Sequence, residues 1–193
     1  MSLGRWNTIS AKQLVGFQMY DDRGPIARQG TNDGLCGIYC LINAVRNDER
    51  LEGSSGEDLL RYFLEAANRL NNFLPSKMSD GYEQHELVDI FNEFSRCLDL
   101  RWRAHLLTTI KRSFLKHSAL ILAKRIFEEG GELVLHGRDV EHWFLAYTYD
   151  FEKNCYLVED SDLTQEQHCI APTKLRDFGV VILPSDSALS RAH

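Results

Sequence analysis

Gln29-Gly30-Thr31-Asn32-Asp33-Gly34-Leu35-Cys36-Gly37-Ile38-Tyr39-Cys40-Leu41-Ile42-Asn43-Ala44-Val45 sets a cysteine where a polar, glycine-bearing loop gives way to a helix. Ile38, Leu41, Ile42 and Val45 recur at spacings of three and four, which predicts a helix over roughly residues 35–47 with a buried stripe. A helix start offers unpaired backbone N–H groups and about half a positive charge, and a thiol in the first turn is more readily ionised than a free one. Cys36 is therefore the candidate nucleophile. Far away in sequence, Glu141-His142-Trp143-Phe144-Leu145-Ala146-Tyr147 supplies the imidazole that such a thiolate needs, able to reach it only after folding.

Working outward from that helix, residues 1–34 show weak periodicity and turn signals (Asp21-Asp22-Arg23-Gly24-Pro25, Asp33-Gly34), with residues 1–28 an irregular lead-in. Met1-Ser2-Leu3 carries no weight in the reading. Ser55 followed by Asp58 has the spacing of a capping box, and Leu59, Leu60, Phe63, Leu64, Ala67 and Leu70 continue at helical spacing to about Asn72. After the Pro75-Ser76 loop a third helix is expected from near Asp80-Gly81, carrying Leu87, Val88, Ile90, Phe91 and Phe94. Leu100, Trp102, Ala104 and Leu106 alternate as in a strand, and Ser113 to Phe127 reads as an amphipathic helix closed by Glu128-Glu129-Gly130-Gly131.

The period then changes. Leu133 to His136, His142 to Tyr149, Cys155 to Glu159 and Gly179 to Leu183 are short β-rich runs separated by turn residues, and the tail at 185–193 is expected to fray. Helices first and an antiparallel sheet last make the fold class α+β. A length of 193 residues with 44% hydrophobic content fits one domain spanning 1–193 that needs neither staples nor metals.

Net charge is −6, and no basic cluster is longer than Lys111-Arg112 or Lys124-Arg125, so nucleic acid is not an expected partner. Five cysteines at 36, 40, 97, 155 and 169, without paired CxxC spacing, argue against a disulfide framework and a zinc ribbon; they read as thiols in a reducing compartment. No run is long enough to span a bilayer and Met1 to Lys12 has no signal-type apolar stretch. The expected location is cytoplasmic, or secreted as an effector by a signal-independent route.

Hydrolysis of an amide by a thiol needs a nucleophile, a base that later protonates the leaving amine, a group that orients the base, and donors for the oxyanion. Cys36 attacks and His142 carries the proton. Asp160, at the end of the next strand, accepts from the other imidazole nitrogen, because a hairpin through Asp150 to Asn154 sets the start of one strand beside the end of the other. Asp162 is the fallback. Gln29 directs its amide at the oxyanion together with the Cys36 backbone N–H; Asn32 or a second backbone amide is the alternative donor. Cys40 reads as core, His136 and His85 as ordinary packed or polar residues, Trp143 as a shield beside the imidazole, and Trp102 as core or rim.

This order along the chain resembles the papain-like cysteine hydrolases: Gln, Cys at a helix start, His on a strand, then Asp or Asn. Within that group the local resemblance is to the Josephin deubiquitinases, carried by Gln29, Leu35-Cys36, Cys40-Leu41-Ile42-Asn43 and His142-Trp143-Phe144, with Asp160-Ser161 where that family has Asn-Ser. Bacterial double-glycine peptidases and papain-like effector proteases are similar in outline, and Asp33-Gly34-Leu35-Cys36 also looks like the start of ovarian-tumour-type deubiquitinases. The resemblance covers the segments around Cys36 and after His142 and leaves the middle helices unassigned. It implies a papain-like fold and hydrolysis through a thioester at Cys36, with no metal or organic cofactor. The substrate it implies is a peptide or a protein, ubiquitin-like among the candidates, with no membrane partner. Cysteine protease or isopeptidase is the leading reading, glutamine deamidase or deubiquitinase the alternative with the same triad, and a non-catalytic papain-like binding module the competing class.

Overall fold

The computed structural model of the chain describes residues 35–71, 77–113, 119–139, 142–159 and 168–191. Its helices are α1 (Cys36–Val45), α2 (Gly56–Arg69), α3 (Lys77–Asp80), α4 (Gln84–Cys97), α5 (Leu107–Ser113), α6 (Ala119–Glu128) and α7 (Ala188–Arg191). The strands are β1 (Trp102–Leu106), β2 (Glu132–Gly137), β3 (Trp143–Asp150), β4 (Cys155–Glu159), β5 (His168–Ile170) and β6 (Leu175–Pro184), in the order β1-β6-β2-β3-β4-β5 with every pairing antiparallel. The class is α+β, as the period change predicts.

Helices cover both faces of this sheet. On one face α1, α2 and α4 share a core with Ala104, Val134, Trp143, Leu145, Val180 and Ile182; on the other, residues of α5, α6 and α7 pack with Leu133, Leu135, Phe144, Ala146, Val181 and Leu183. Two-sided burial explains why the central strands read as unbroken apolar runs, Leu133-Val134-Leu135 and Val180 to Leu183, rather than as alternating ones.

The helix borders follow from local chemistry. At α2 the Ser55 hydroxyl accepts from the Asp58 N–H at 3.1 Å and the Asp58 carboxylate accepts from the Ser55 N–H at 3.2 Å, a complete capping box. The Ser55 hydrogen bonds hold the Asp58 carboxyl below its ordinary value. Ser55→Ala is expected to lower the melting temperature by about 2–4 °C, the usual worth of one cap in a protein of this size. A depressed folded-state value means that the carboxylate's share is present above the ordinary carboxylate range and is lost as pH falls from there through the lowered folded-state value. The gap between variant and wild type should therefore narrow in melts run at acid pH. α6 ends in the same lawful way: Gly130 takes φ 75°, its N–H donates to Phe127 O and that of Gly131 to Ile126 O.

Several expectations need correction. α4 begins after Glu83, whose N–H donates to the Glu86 carboxylate at 2.8 Å, later than the expected start near Asp80-Gly81; Lys77–Asp80 is a short helix of its own. The helix expected over Ser113 to Phe127 is preceded by a separate one, α5, directly after β1. The tail beyond Pro184 is not frayed at residues 188–191, where α7 buries Leu189 completely and the Glu129 carboxylate accepts from the Leu189 N–H. Nor are all five cysteines thiols. Antiparallel pairing of β4 with β5 places Leu157 opposite Cys169, and Cys155 and Cys169, with Cα atoms 5.7 Å apart, are joined by a disulfide. Cys36, Cys40 and Cys97 remain as free cysteines, and the inference from five thiols to a reducing compartment loses its premise. Among the described residues, no helix is long and apolar enough to cross a membrane.

Candidate active site

α1 is buried along its whole length, not only on the predicted stripe, and Cys36 forms its first residue at 6% exposure. Among the described residues no side chain caps this helix start, and the Leu35 carbonyl accepts the first helical bond from the Tyr39 N–H at 3.0 Å. The N–H groups of the first turn have no partner within the helix, which is the arrangement suited to anions.

Gly37 explains how close that turn comes to the sheet. A Cβ here would lie 2.8 Å from Leu87 Cδ1 on α4 and 3.2 Å from Trp143 Cδ1 on β3, so the absence of a side chain lets three elements meet. One turn on, the buried Cys40 S–H donates to the Trp143 carbonyl at 3.3 Å. Cys36 precedes Gly37, and His142 precedes Trp143. The two sequence-predicted residues thus sit on neighbouring backbone segments, but Cys36 belongs to the α1-face core while the His142 ring packs on Phe144 of the opposite face, and among the described residues no hydrogen bond joins the two side chains.

His142 lies half-buried just before β3, and its carbonyl accepts from the Gly137 N–H at 2.8 Å, closing the β2–β3 connection. Its ring stands edge-on to Phe144, with centroids 4.9 Å apart. The ring beside the imidazole is therefore Phe144, not Trp143 as expected. Trp143 instead meets His136 edge-on at 4.8 Å, because those two residues pair across β2 and β3, and a His136 ring nitrogen bonds to the Gly137 carbonyl. His136 is packed, as read from sequence. Trp102 is a rim residue whose indole N–H donates to the buried Asp48 carboxylate at 2.8 Å.

The expected β3–β4 hairpin is present, with Leu145 opposite Glu159 and a turn over residues 151–154 in which Asn154 takes φ 55°. Asp160 follows the last residue of β4. Asp160, Asp162, Gln29 and Asn32 lie outside the described residues, as do the loop before Cys36 and Glu141.

Two residues with buried side chains escaped the sequence reading, one at the end of α1 away from Cys36 and one at the end of β4. Arg46, directly after α1, donates from Nη2 to the Glu159 carboxylate at 3.0 Å, with side chains 7% and 2% exposed, and from Nη1 to the Asn43 amide oxygen at 3.4 Å. The available signal was a charge closing each of two short apolar stretches, Ala44-Val45 and Tyr156 to Val158.

The remaining thiol, Cys97, has different surroundings. It lines a concavity with Tyr62, Arg69 and Phe94, receives a hydrogen bond from Arg69 Nη1 at 2.7 Å and donates to Glu93 at 3.4 Å. Hydrogen bonds from Arg96 and Cys97 hold the Glu93 carboxyl down at about 2, while burial and that carboxylate push the Cys97 thiol up. Among the described residues no group of three or more His, Cys, Asp or Glu could hold a metal ion. Compared with models of known protein families the chain matches none, and no curated protein is similar enough to be matched as a relative.

Proposed function

We propose that the chain is a papain-like thiol hydrolase acting on a peptide, isopeptide or glutamine side-chain amide of a protein, with Cys36 as nucleophile and His142 as general base and acid. The observation that carries this reading is the contact of the first turn of α1 with the start of β3, through Gly37 and Trp143, which joins the two segments that bear those side chains. Cys36 Sγ attacks the amide carbon, the C–N bond breaks, and the leaving amine takes the proton that His142 removed from the thiol. Water then attacks the thioester, His142 takes its proton, and the C–S bond breaks to release the acid. Asp160 orients the imidazole, and Gln29 or Asn32 with the Cys36 N–H receives the oxyanion.

Protease, isopeptidase, deamidase and deubiquitinase share this acyl-enzyme chemistry and differ in what the cleft admits. A non-catalytic binding module is favoured by one observation, the low exposure of Cys36. Alkylation with iodoacetamide at neutral pH separates the two. The hydrolase gives fast modification of Cys36 that is lost in His142→Ala. Cys97, whose thiol is pushed up by partial desolvation and by the Glu93 carboxylate, should react slowly at neutral pH and speed up only above the ordinary thiol range. Comparable slow labelling of Cys36 and Cys97, indifferent to His142, would establish the module. Ubiquitin, ubiquitin-like and glutamine-bearing protein substrates, read by mass spectrometry for cleavage or a one-unit mass gain, then sort the hydrolase readings.

A further inference from the structure

We infer that Arg46 and Glu159 are positioning residues that lock the nucleophile helix α1 in one register against the β3–β4 hairpin. The inference rests on the thiol-hydrolase reading. Ile38, Leu41, Ile42 and Val45 pack α1 by non-directional apolar contact, which tolerates small slides of a helix over a sheet. A buried ion pair does not tolerate them, since its attraction repays the desolvation of both charges only in good geometry.

The pair is also a poor way to gain stability. Arg46 Nε is buried with no acceptor among the described residues, and well-packed apolar residues in place of such a pair are often neutral or stabilising. What it supplies is direction. Arg46 sits at the C-terminal end of α1, where a cation also meets the favourable end of the helix dipole, and Asn43 of the same helix steadies its guanidinium. Glu159 pairs with Leu145, two residues beyond Trp143 on β3, and directly precedes Asp160. With the Cys40 to Trp143 hydrogen bond nearer the nucleophile, α1 is held to the hairpin at two points by directional contacts. A slide of an ångström is enough to spoil a thiolate–imidazole pair.

The test is the rate of Cys36 alkylation by iodoacetamide as a function of pH in wild type, His142→Ala, Glu159→Gln, Arg46→Lys and the double variant Arg46→Met/Glu159→Met. The expected result is a fall of about tenfold or more at neutral pH in the Glu159 and Arg46 variants, with the profile moved up toward that of a free thiol and Cys97 unchanged as internal control. Arg46→Lys keeps the charge but loses the planar fork and should lie between wild type and Glu159→Gln. If Glu159→Gln does not fold, the double variant decides, because it leaves no uncompensated buried charge. A folded double variant with slow Cys36 supports the inference, and one with wild-type rate and profile overturns it. Wild-type Cys36 that is no faster than Cys97 and indifferent to His142 removes the hydrolase reading and this inference together. Fast, His142-dependent wild type with an unchanged Glu159→Gln profile removes this inference alone.

Discussion

On the proposed thiol-hydrolase reading, Cys36→Ala is expected to abolish turnover of the amide substrate, His142→Ala to lower it by about a thousandfold or more, and the double variant to be no worse than Cys36→Ala alone. The absence of additivity is the informative part. In the proposed mechanism nucleophile and base act as a unit, so once the thiolate is gone the imidazole has nothing left to activate. Both substitutions should leave the fold intact, for reasons specific to this chain. The hydrogen bond that holds His142 to the β2–β3 connection uses its backbone carbonyl, which alanine retains, and the ring's edge contact with Phe144 is worth about 0.5–1.5 kcal/mol. Cys36 loses one sulfur at the end of a helix whose other nine residues stay buried. Steady-state kinetics beside thermal melts checks the pair. A His142→Ala protein that keeps more than a tenth of wild-type turnover would show that another group carries the proton.

How much of this was legible beforehand depended on whether a local rule governed the element. α1, the Ser55 capping box of α2 and the β3–β4 hairpin are set by neighbours in sequence: apolar spacing, a cap three residues from its partner, a short turn. The start expected for α4 near Asp80-Gly81 is too early, because the box that opens the helix is made by the Glu83 N–H and the Glu86 carboxylate. α7 was illegible because its four residues carry no helical period of their own. It is held by Leu189 in the second core and by the distant Glu129 carboxylate. The Cys155–Cys169 bridge and the Arg46–Glu159 pair were hidden for a related reason, since each joins residues whose proximity comes from strand pairing or helix docking. At the candidate site, Cys36 and His142 are candidates on chemistry and order along the chain. That Phe144 rather than Trp143 flanks the imidazole follows from Trp143 being drawn to the α1 face of the sheet against Gly37 and His136.

The largest expected loss of stability is at Phe91. Phe63 of α2 stacks on Phe94 of α4 with centroids 3.9 Å apart, and Phe91 stands tilted to both at 6.2 and 6.3 Å; none of the three rings is more than 1% exposed. Phe91→Ala removes a ring that the stacked pair cannot collapse onto without giving up its own geometry, so the cavity persists and the substitution should cost about 3–5 kcal/mol. For a domain of this size that is a fall in melting temperature of about 6–20 °C. Phe91→Leu keeps most of the volume and should cost less than half as much, and Phe151→Ala, on a side chain 60% exposed, should be nearly silent. Urea unfolding of the four proteins gives the comparison, with the urea dependence unchanged if only the native packing is affected. The site shares this core, because Leu87 of the same helix is the side chain that bears on Gly37. Phe91→Ala should therefore also slow Cys36 alkylation as temperature rises, well before global unfolding, whereas Phe151→Ala should follow wild type throughout. A Phe91→Ala loss under 1 kcal/mol would mean that α2 and α4 repack freely, and that α1 rests on something other than this aromatic cluster.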